Sequence, residues 1–195
     1  MILYRKVQAV EKLFQQLEKD VATFQQATSL KCKTACGLCC TKPDISATVL
    51  EFLPLAYALA KNNLAHDWLQ RVSNHQSNIC INLSSLIADN GGFCSNYNHR
   101  GLICRLFGFT AMKWKNELQL VTCKTIKEDP SLGYQKATQH IKDGKPTPLI
   151  SNYYAKLRAI DPSLGSEMMP INEAIEKSIQ YVLSYYSYRR IRRTG

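Results

Sequence analysis

Residues 32–40 read Cys-Lys-Thr-Ala-Cys-Gly-Leu-Cys-Cys, so half of the chain's eight cysteines fall within one short stretch. A thiol binds zinc or iron as its thiolate, and two thiolates separated by two residues can reach one ion from a single tight turn. Gly37, between them, is free to adopt a positive φ in that turn. The spacing predicts that Cys36 and Cys39 share a metal. For Cys40 the same ion, a second ion and thiol exchange all remain open.

The remaining four cysteines lie further along the chain, at Cys80, Cys94, Cys104 and Cys123. The N-terminus turns polar too soon for a secretory signal, and no run of about 18 apolar residues predicts a membrane span. These features favour a cytoplasmic protein, whose thiols are kept reduced. Eight clustered thiols then indicate metal binding or redox chemistry more than a disulfide scaffold. For Cys123, which ends an apolar run, an ordinary core position is an equal alternative.

The cysteine pattern resembles that of a known family. The cluster at 32–40 is followed by a single cysteine, then by Cys-x2-Tyr-x2-Arg and Cys-Arg-x-Phe. This order is similar to the CxxCxxCC cysteine-cluster family of zinc- or iron-chelating proteins (YkgJ type), over residues 32 to about 110 and more weakly to Cys123. The positions that match the family pattern are Cys32, Cys36, Cys39, Cys40, Cys80, Cys94, Tyr97, Arg100, Cys104 and Arg105.

Two positions depart from the family pattern. The first gap, between Cys32 and Cys36, has three residues instead of two, and Gly101 stands where the family usually has proline. The resemblance implies that all eight cysteines are candidate metal ligands, with Tyr97, Arg100 and Arg105 as cofactor-binding residues. For the two arginines we favour hydrogen bonds that offset thiolate charge, and binding of an anionic substrate group is the alternative. A histidine, His99, lies among these residues, and we expect it not to be a ligand.

The local spacing does not distinguish zinc from iron, because both metals use Cys-x2-Cys pairs. The adjacent Cys39 and Cys40 suit a cluster of several irons better than one tetrahedral zinc, so an iron–sulfur cluster is favoured and zinc is the alternative. The role of the metal centre is structural or redox. A second hypothesis is a protein-modifying enzyme, since flagellin lysine N-methylases carry a similar cysteine cluster. Against it, we find no methyl-donor motif, and whether the protein is an enzyme stays open.

The chain is basic, with a formal net charge of +10. Much of the excess lies at the C-terminus, where four arginines crowd residues 189–195 beyond a tyrosine-rich segment. Arginines among aromatic residues can bind phosphates and stack on bases. A nucleic-acid-associated metalloprotein is therefore a third hypothesis. A core helix with a basic tail in solvent explains the same residues, and we favour that simpler interpretation.

The hydrophobic pattern predicts a mainly α protein with a small β-hairpin, folded as a single domain over 1–195. Residues 32–123 form its metal-binding region. Helices are predicted near 1–26, 49–61, 64–76, 131–142, 147–160 and 171–190, and the hairpin near 106–114 and 118–123. Thr48 and Glu51 form a capping box, but Pro54 requires the second helix to start late or to kink. Residues 77–105 show no periodicity, so we expect the helices to pack around a loop-rich centre fastened by cysteine-bound metal.

Overall fold

The computed structural model describes residues 1–33, 36–84 and 92–187. Within these ranges the chain is mainly helical, as predicted. The helices are α1 (Leu3–Thr28), α2 (Leu53–Lys61), α3 (Ala65–Ser73), α4 (Leu102–Leu106), α5 (Lys124–Glu128), α6 (Tyr134–Lys142), α7 (Ile150–Ile160), α8 (Pro162–Gly165) and α9 (Ile171–Tyr186). Short 3-10 turns cover Leu38–Thr41, Leu50–Phe52, Tyr97–His99 and Pro130–Leu132.

The strands form small antiparallel pairs. They are β1 (Ser46–Ala47) with β6 (Met169–Pro170), β2 (Leu83–Ser84) with β3 (Phe93–Cys94), and β4 (Thr110–Trp114) with β5 (Glu117–Val121). The β4–β5 pair is the predicted hairpin, and its turn holds Lys115 at a φ of 54°. The other two pairs were not predicted, because two-residue strands have no measurable periodicity.

Helix α1 behaves as its sequence predicts. Its apolar stripe, which consists of Leu3, Val7, Val10, Phe14, Leu17, Val21 and Phe24, is buried throughout. The stripe packs against the core of the chain itself. Helix α1 packs in this way against α2, α4, α6 and α7.

The proline in the second predicted helix is accommodated by a late start. The chain first makes the 3-10 turn Leu50–Phe52, and α2 then begins at Leu53, which places Pro54 in the first helical turn. Proline costs little there because its missing N–H would have no intrahelical partner. The predicted kink is not needed.

The buried apolar residues fall into two clusters. The helical cluster contains the core residues of α1, α2, α7 and α9. The hairpin cluster joins the end of α1 to the hairpin and to α5 and α6, through Phe24, Leu30, Ala111, Leu120, Ile126, Leu132, Ala137 and Ile141. Phe109 packs against both clusters. No helix among the described residues is both long enough and apolar enough to cross a bilayer.

A buried ion pair ties α1 to the segment before α8. Lys6 Nζ lies 2.5 Å from Asp161 Oδ2 and donates a hydrogen bond of 2.8 Å to the Tyr181 hydroxyl. Asp161 also accepts hydrogen bonds from the backbone N–H groups of Ser163 and Leu164, so it caps α8 as well. The pair therefore holds three helices, α1, α8 and α9, in register.

Candidate metal centre

One cavity of about 820 Å³ is lined by all eight cysteines. Its walls come from both apolar clusters, with Phe52 and Ile171 on one side and Ile126 on the other. The cysteines reach it from the cluster segment (Cys32, Cys36, Cys39, Cys40), from the loop after α3 (Cys80), from β3 (Cys94), from α4 (Cys104) and from the residue before α5 (Cys123). The fold thus brings together thiols that are far apart in sequence.

The side chains around the cavity that can bind a soft metal are all of one type. All eight cysteines are free thiols. No histidine, aspartate or glutamate of the described ranges lines the cavity, and His99 lies outside its wall. Thiolates suit zinc, iron or copper(I) and not the hard cations magnesium and calcium, which bind oxygen. The side chains present therefore fit a soft or borderline metal.

The adjacent Cys39 and Cys40 place their sulfur atoms 3.9 Å apart. A disulfide would require about 2 Å. Two sulfurs bound to a common zinc at about 2.3 Å each are about 3.8 Å apart when the geometry is tetrahedral. No group of three or more metal-binding side chains in the described residues is close enough together to hold an ion. Metal binding must draw the other sulfurs inward.

Gly37, inside the Cys36–Cys39 pair, does not use the positive φ that a glycine can adopt. Its φ is −98°, which any residue can adopt. Glycine is needed for a different reason, because a Cβ on Gly37 would come within 2.5 Å of the carbonyl oxygen of Gly92. The cluster segment packs directly on the backbone next to β3, which brings Cys36 and Cys39 near the strand that carries Cys94.

The cavity environment changes the acidity of the thiols. Burial, with added repulsion from neighbouring thiolates, raises the pKa of Cys32 and of Cys80 to about 11, and burial also raises the pKa of Cys104 well above its ordinary value. The Cys39 thiol is the exception, because a hydrogen bond from Cys40 and the charge of Arg100 lower its pKa. That hydrogen bond correspondingly raises the pKa of Cys40. A metal ion would have to displace protons from most of the other thiols.

Arg100 and Tyr97, which the resemblance implies as cofactor-binding residues, both line the cavity. The guanidinium of Arg100 stacks 3.7 Å from the centre of the Tyr97 ring. Its Nε is buried and has no hydrogen-bond partner among the described residues. An N–H without an acceptor at the edge of a thiol cavity can donate to a thiolate. Lys31 and Lys33 add positive charge to the same wall, and the sequence analysis did not single them out.

Arg105 lies outside the cavity wall. Its side chain does not line the cavity and is only 7% exposed. It donates hydrogen bonds to the backbone carbonyls of Arg100 and Asn98, at 3.0 and 2.8 Å, and pairs with Glu18 of α1. It also lies over the Phe14 ring. Arg105 therefore fastens the Tyr97–Arg100 segment to α1, and these contacts support a structural role for it.

Glu51 is a buried carboxylate for which the sequence predicts only a role in the helix capping box. One oxygen accepts from the Thr48 N–H at 2.7 Å and from its hydroxyl, which is the glutamate half of the predicted capping box. The other oxygen accepts from the Ile103 N–H at 2.8 Å. Glu51 thus anchors the start of α4, the helix that carries Cys104. Nothing in the local sequence signals this long-range contact.

The basic tail at 189–195 lies outside the described residues. The nucleic-acid hypothesis, which depends on that tail, therefore remains a prediction from sequence.

Comparisons with known proteins agree with the cysteine pattern. Residues 31–125 match the model of the CxxCxxCC family, whose description is "Putative zinc- or iron-chelating domain". The match begins just before Cys32 and ends just after Cys123, so it spans every cysteine of the chain. Searches of curated proteins and of solved structures found no match.

Proposed function

Because residues 31–125 belong to the CxxCxxCC family, we propose that this protein binds zinc or iron through the thiolates of its cysteine cavity, and that the native centre is an iron–sulfur cluster. The convergence of all eight cysteines on one cavity carries the proposal. We assign the ligand role to Cys32, Cys36, Cys39, Cys40, Cys80, Cys94, Cys104 and Cys123.

The charge around the cavity supports a centre built from thiolates. Four thiolates around one Zn²⁺ or one [4Fe–4S]²⁺ cluster leave a net charge of about −2. Lys31, Lys33 and Arg100 line the cavity and offset that charge. The unpartnered Nε of Arg100 supplies a donor for a thiolate sulfur. Such donors stabilise the ionised ligand and tune the centre.

The position of the cavity supports a structural contribution. Its walls include residues of two separate apolar clusters, and the cysteines that line it come from segments far apart in the sequence. A bound metal joins these segments through metal–sulfur bonds. The unfolded chain does not hold its thiolates close enough together to form them around one ion. If the centre is an iron–sulfur cluster, it also supplies one-electron chemistry when bound.

The test is to purify the full chain without oxygen and to measure zinc, iron and sulfide per chain. We expect metal in at least one equivalent, with absorbance at about 400 nm if the centre is an iron–sulfur cluster. Alanine at both Cys36 and Cys39 should remove the metal that these two cysteines share and so lower the metal content per chain. As a matched control, His99→Ala changes a neighbouring residue that does not line the cavity, and it should retain the metal. Wild-type protein without metal under these conditions would refute the proposal.

A further inference from the structure

The cavity contains more thiols than one centre can use. A structural zinc takes four thiolates, and so does a [4Fe–4S] cluster. Eight thiols line the same cavity of about 820 Å³. A single centre would leave four buried or half-buried thiols without a ligand role. How the cysteines are attached to the fold indicates how they divide.

One set of cysteines is fixed to the helical cluster. Cys40 and Cys80 are buried members of that cluster, and Cys104 and Cys39 pack against it. The backbone N–H of Cys80 lies 3.4 Å from the Cys40 carbonyl oxygen, and Cys94 pairs with Leu83 across β2 and β3. These backbone contacts bring three separate segments of chain to one side of the cavity. We call Cys40, Cys80, Cys94 and Cys104 the inner group.

Cys123 and Cys32 are fixed to the hairpin cluster. Cys123 packs against that cluster directly. Cys32 follows Leu30, which is buried in it, and the Lys31 N–H donates to the Leu132 carbonyl at 3.0 Å. Lys33 Nζ lies 3.8 Å from Asp129. Cys32 is therefore held on both sides in sequence by contacts to the segment that follows α5.

Cys36 and Cys39 connect the two sides of the cavity. Their two-residue spacing suits ligation of one ion, which places them together. The inner group is complete without them, whereas Cys32 and Cys123 need two more thiolates. We call Cys32, Cys36, Cys39 and Cys123 the outer group.

We propose that the cavity holds two separate four-thiolate centres, one bound by the inner group and one by the outer group. This inference rests on the proposed function. Cys39 and Cys40 belong to different groups and their sulfurs lie 3.9 Å apart, so the two centres are immediate neighbours. The same separation also fits two ligands of one ion, and the metal count per chain distinguishes the two arrangements. Each ion enters as its thiols release their protons to solvent. The inner centre fastens the loops to the helical cluster, and the outer centre joins the cluster segment to the hairpin side.

The experiment measures zinc per chain in the full-length protein, produced in zinc-supplemented cells and purified anaerobically with a thiol reductant. Two double variants separate the groups: Cys32→Ser with Cys123→Ser for the outer group, and Cys80→Ser with Cys104→Ser for the inner group. We expect two zinc ions per wild-type chain and one in each double variant. Exchange of zinc for Co²⁺ should give a tetrahedral thiolate spectrum that falls by half in either variant.

The possible outcomes separate the two proposals. No zinc and no iron in the wild type would remove the proposed function itself. One equivalent in the wild type, or loss of all metal when only the outer pair is changed, would overturn the two-centre inference and leave the proposed function standing. Because the inner pair is more buried, that variant can fail to fold, as circular dichroism would show. The outer variant, whose Cys32 is exposed, then decides alone.

Discussion

Replacement of Arg105 by leucine tests whether this arginine supports the fold or binds the metal centre. Its side chain is only 7% exposed, and it donates to the carbonyls of Arg100 and Asn98. Hydrogen bonds from a charged donor contribute about 1.5–3 kcal/mol each, and the exposed Asn98 can recover part of its loss from water. We expect Arg105→Leu to lower the free energy of unfolding by about 2–4 kcal/mol.

The ion pair of Arg105 with Glu18 provides a matched control. Glu18 is 54% exposed, so water and salt screen the pair. An exposed pair contributes about 0–1 kcal/mol, and Glu18→Gln should cost no more than that. Arg105→Leu should therefore be the more damaging variant, although each variant removes the same pair.

The assay is thermal and denaturant unfolding of the metal-loaded protein, with metal content measured on the same samples. For a chain of this length, about 2–4 kcal/mol corresponds to a loss of about 4–16 °C in Tm. Metal per chain should stay at the wild-type value at saturating metal. If Arg105→Leu loses its metal while its Tm is unchanged, Arg105 binds the centre and the structural assignment is wrong. Equal destabilisation by Glu18→Gln would show that the ion pair dominates.

Three further predictions concern single buried contacts. Burial raises the pKa of Glu51 from 4.5 to about 7, so the stability that this carboxyl contributes is complete below about pH 4.5 and is lost as the pH rises through 7, by up to about 3 kcal/mol. Glu51→Gln should abolish that slope in unfolding measured from pH 4.5 to 7.5, and an unchanged slope would assign it to other groups. Burial acts to raise the pKa of Asp161, but hydrogen bonds from Lys6 and the capped backbone outweigh it and hold the pKa below its ordinary value. The stability from Asp161 is therefore present above pH 4 and lost as the pH falls through the lowered pKa. Asp161→Asn should remove this acid dependence and cost about 3 kcal/mol at neutral pH, because Lys6 stays buried without its charge partner; a cost below 1 kcal/mol at neutral pH would contradict this estimate. Gly101→Ala would place a Cβ 2.7 Å from the Phe52 ring and should cost about 1–3 kcal/mol, most of it recovered when Phe52→Leu is added; additive losses in the double variant would show that the two sites do not touch.

The fold could be predicted where apolar residues recur over several turns. Helix α1 is the clearest case, because its stripe extends along the whole helix and all of it is buried. The hairpin was also predictable, since two strands with aromatic and β-branched residues flank a short polar turn. The short helices α5 and α8 were missed, because one turn of helix leaves no repeat to detect. Their positions depend on tertiary packing and on the Asp161 cap, not on propensity.

Some features of the candidate site could likewise be predicted from the local sequence pattern, and others depend on long-range contacts. The ligand types follow from sequence, because cysteines are rare and their clustering has few explanations if the thiols stay reduced. The neighbours of those ligands do not follow, as Gly101 illustrates. Its φ of −64° is one that proline also adopts, so the backbone does not require the glycine that stands in the family's proline position. The requirement comes from Glu51 and Phe52, whose side chains would both lie within 3 Å of an added Cβ. Glu51 can anchor the helix that carries Cys104 only because Gly101 has no side chain, so the glycine and the buried carboxylate belong to one arrangement.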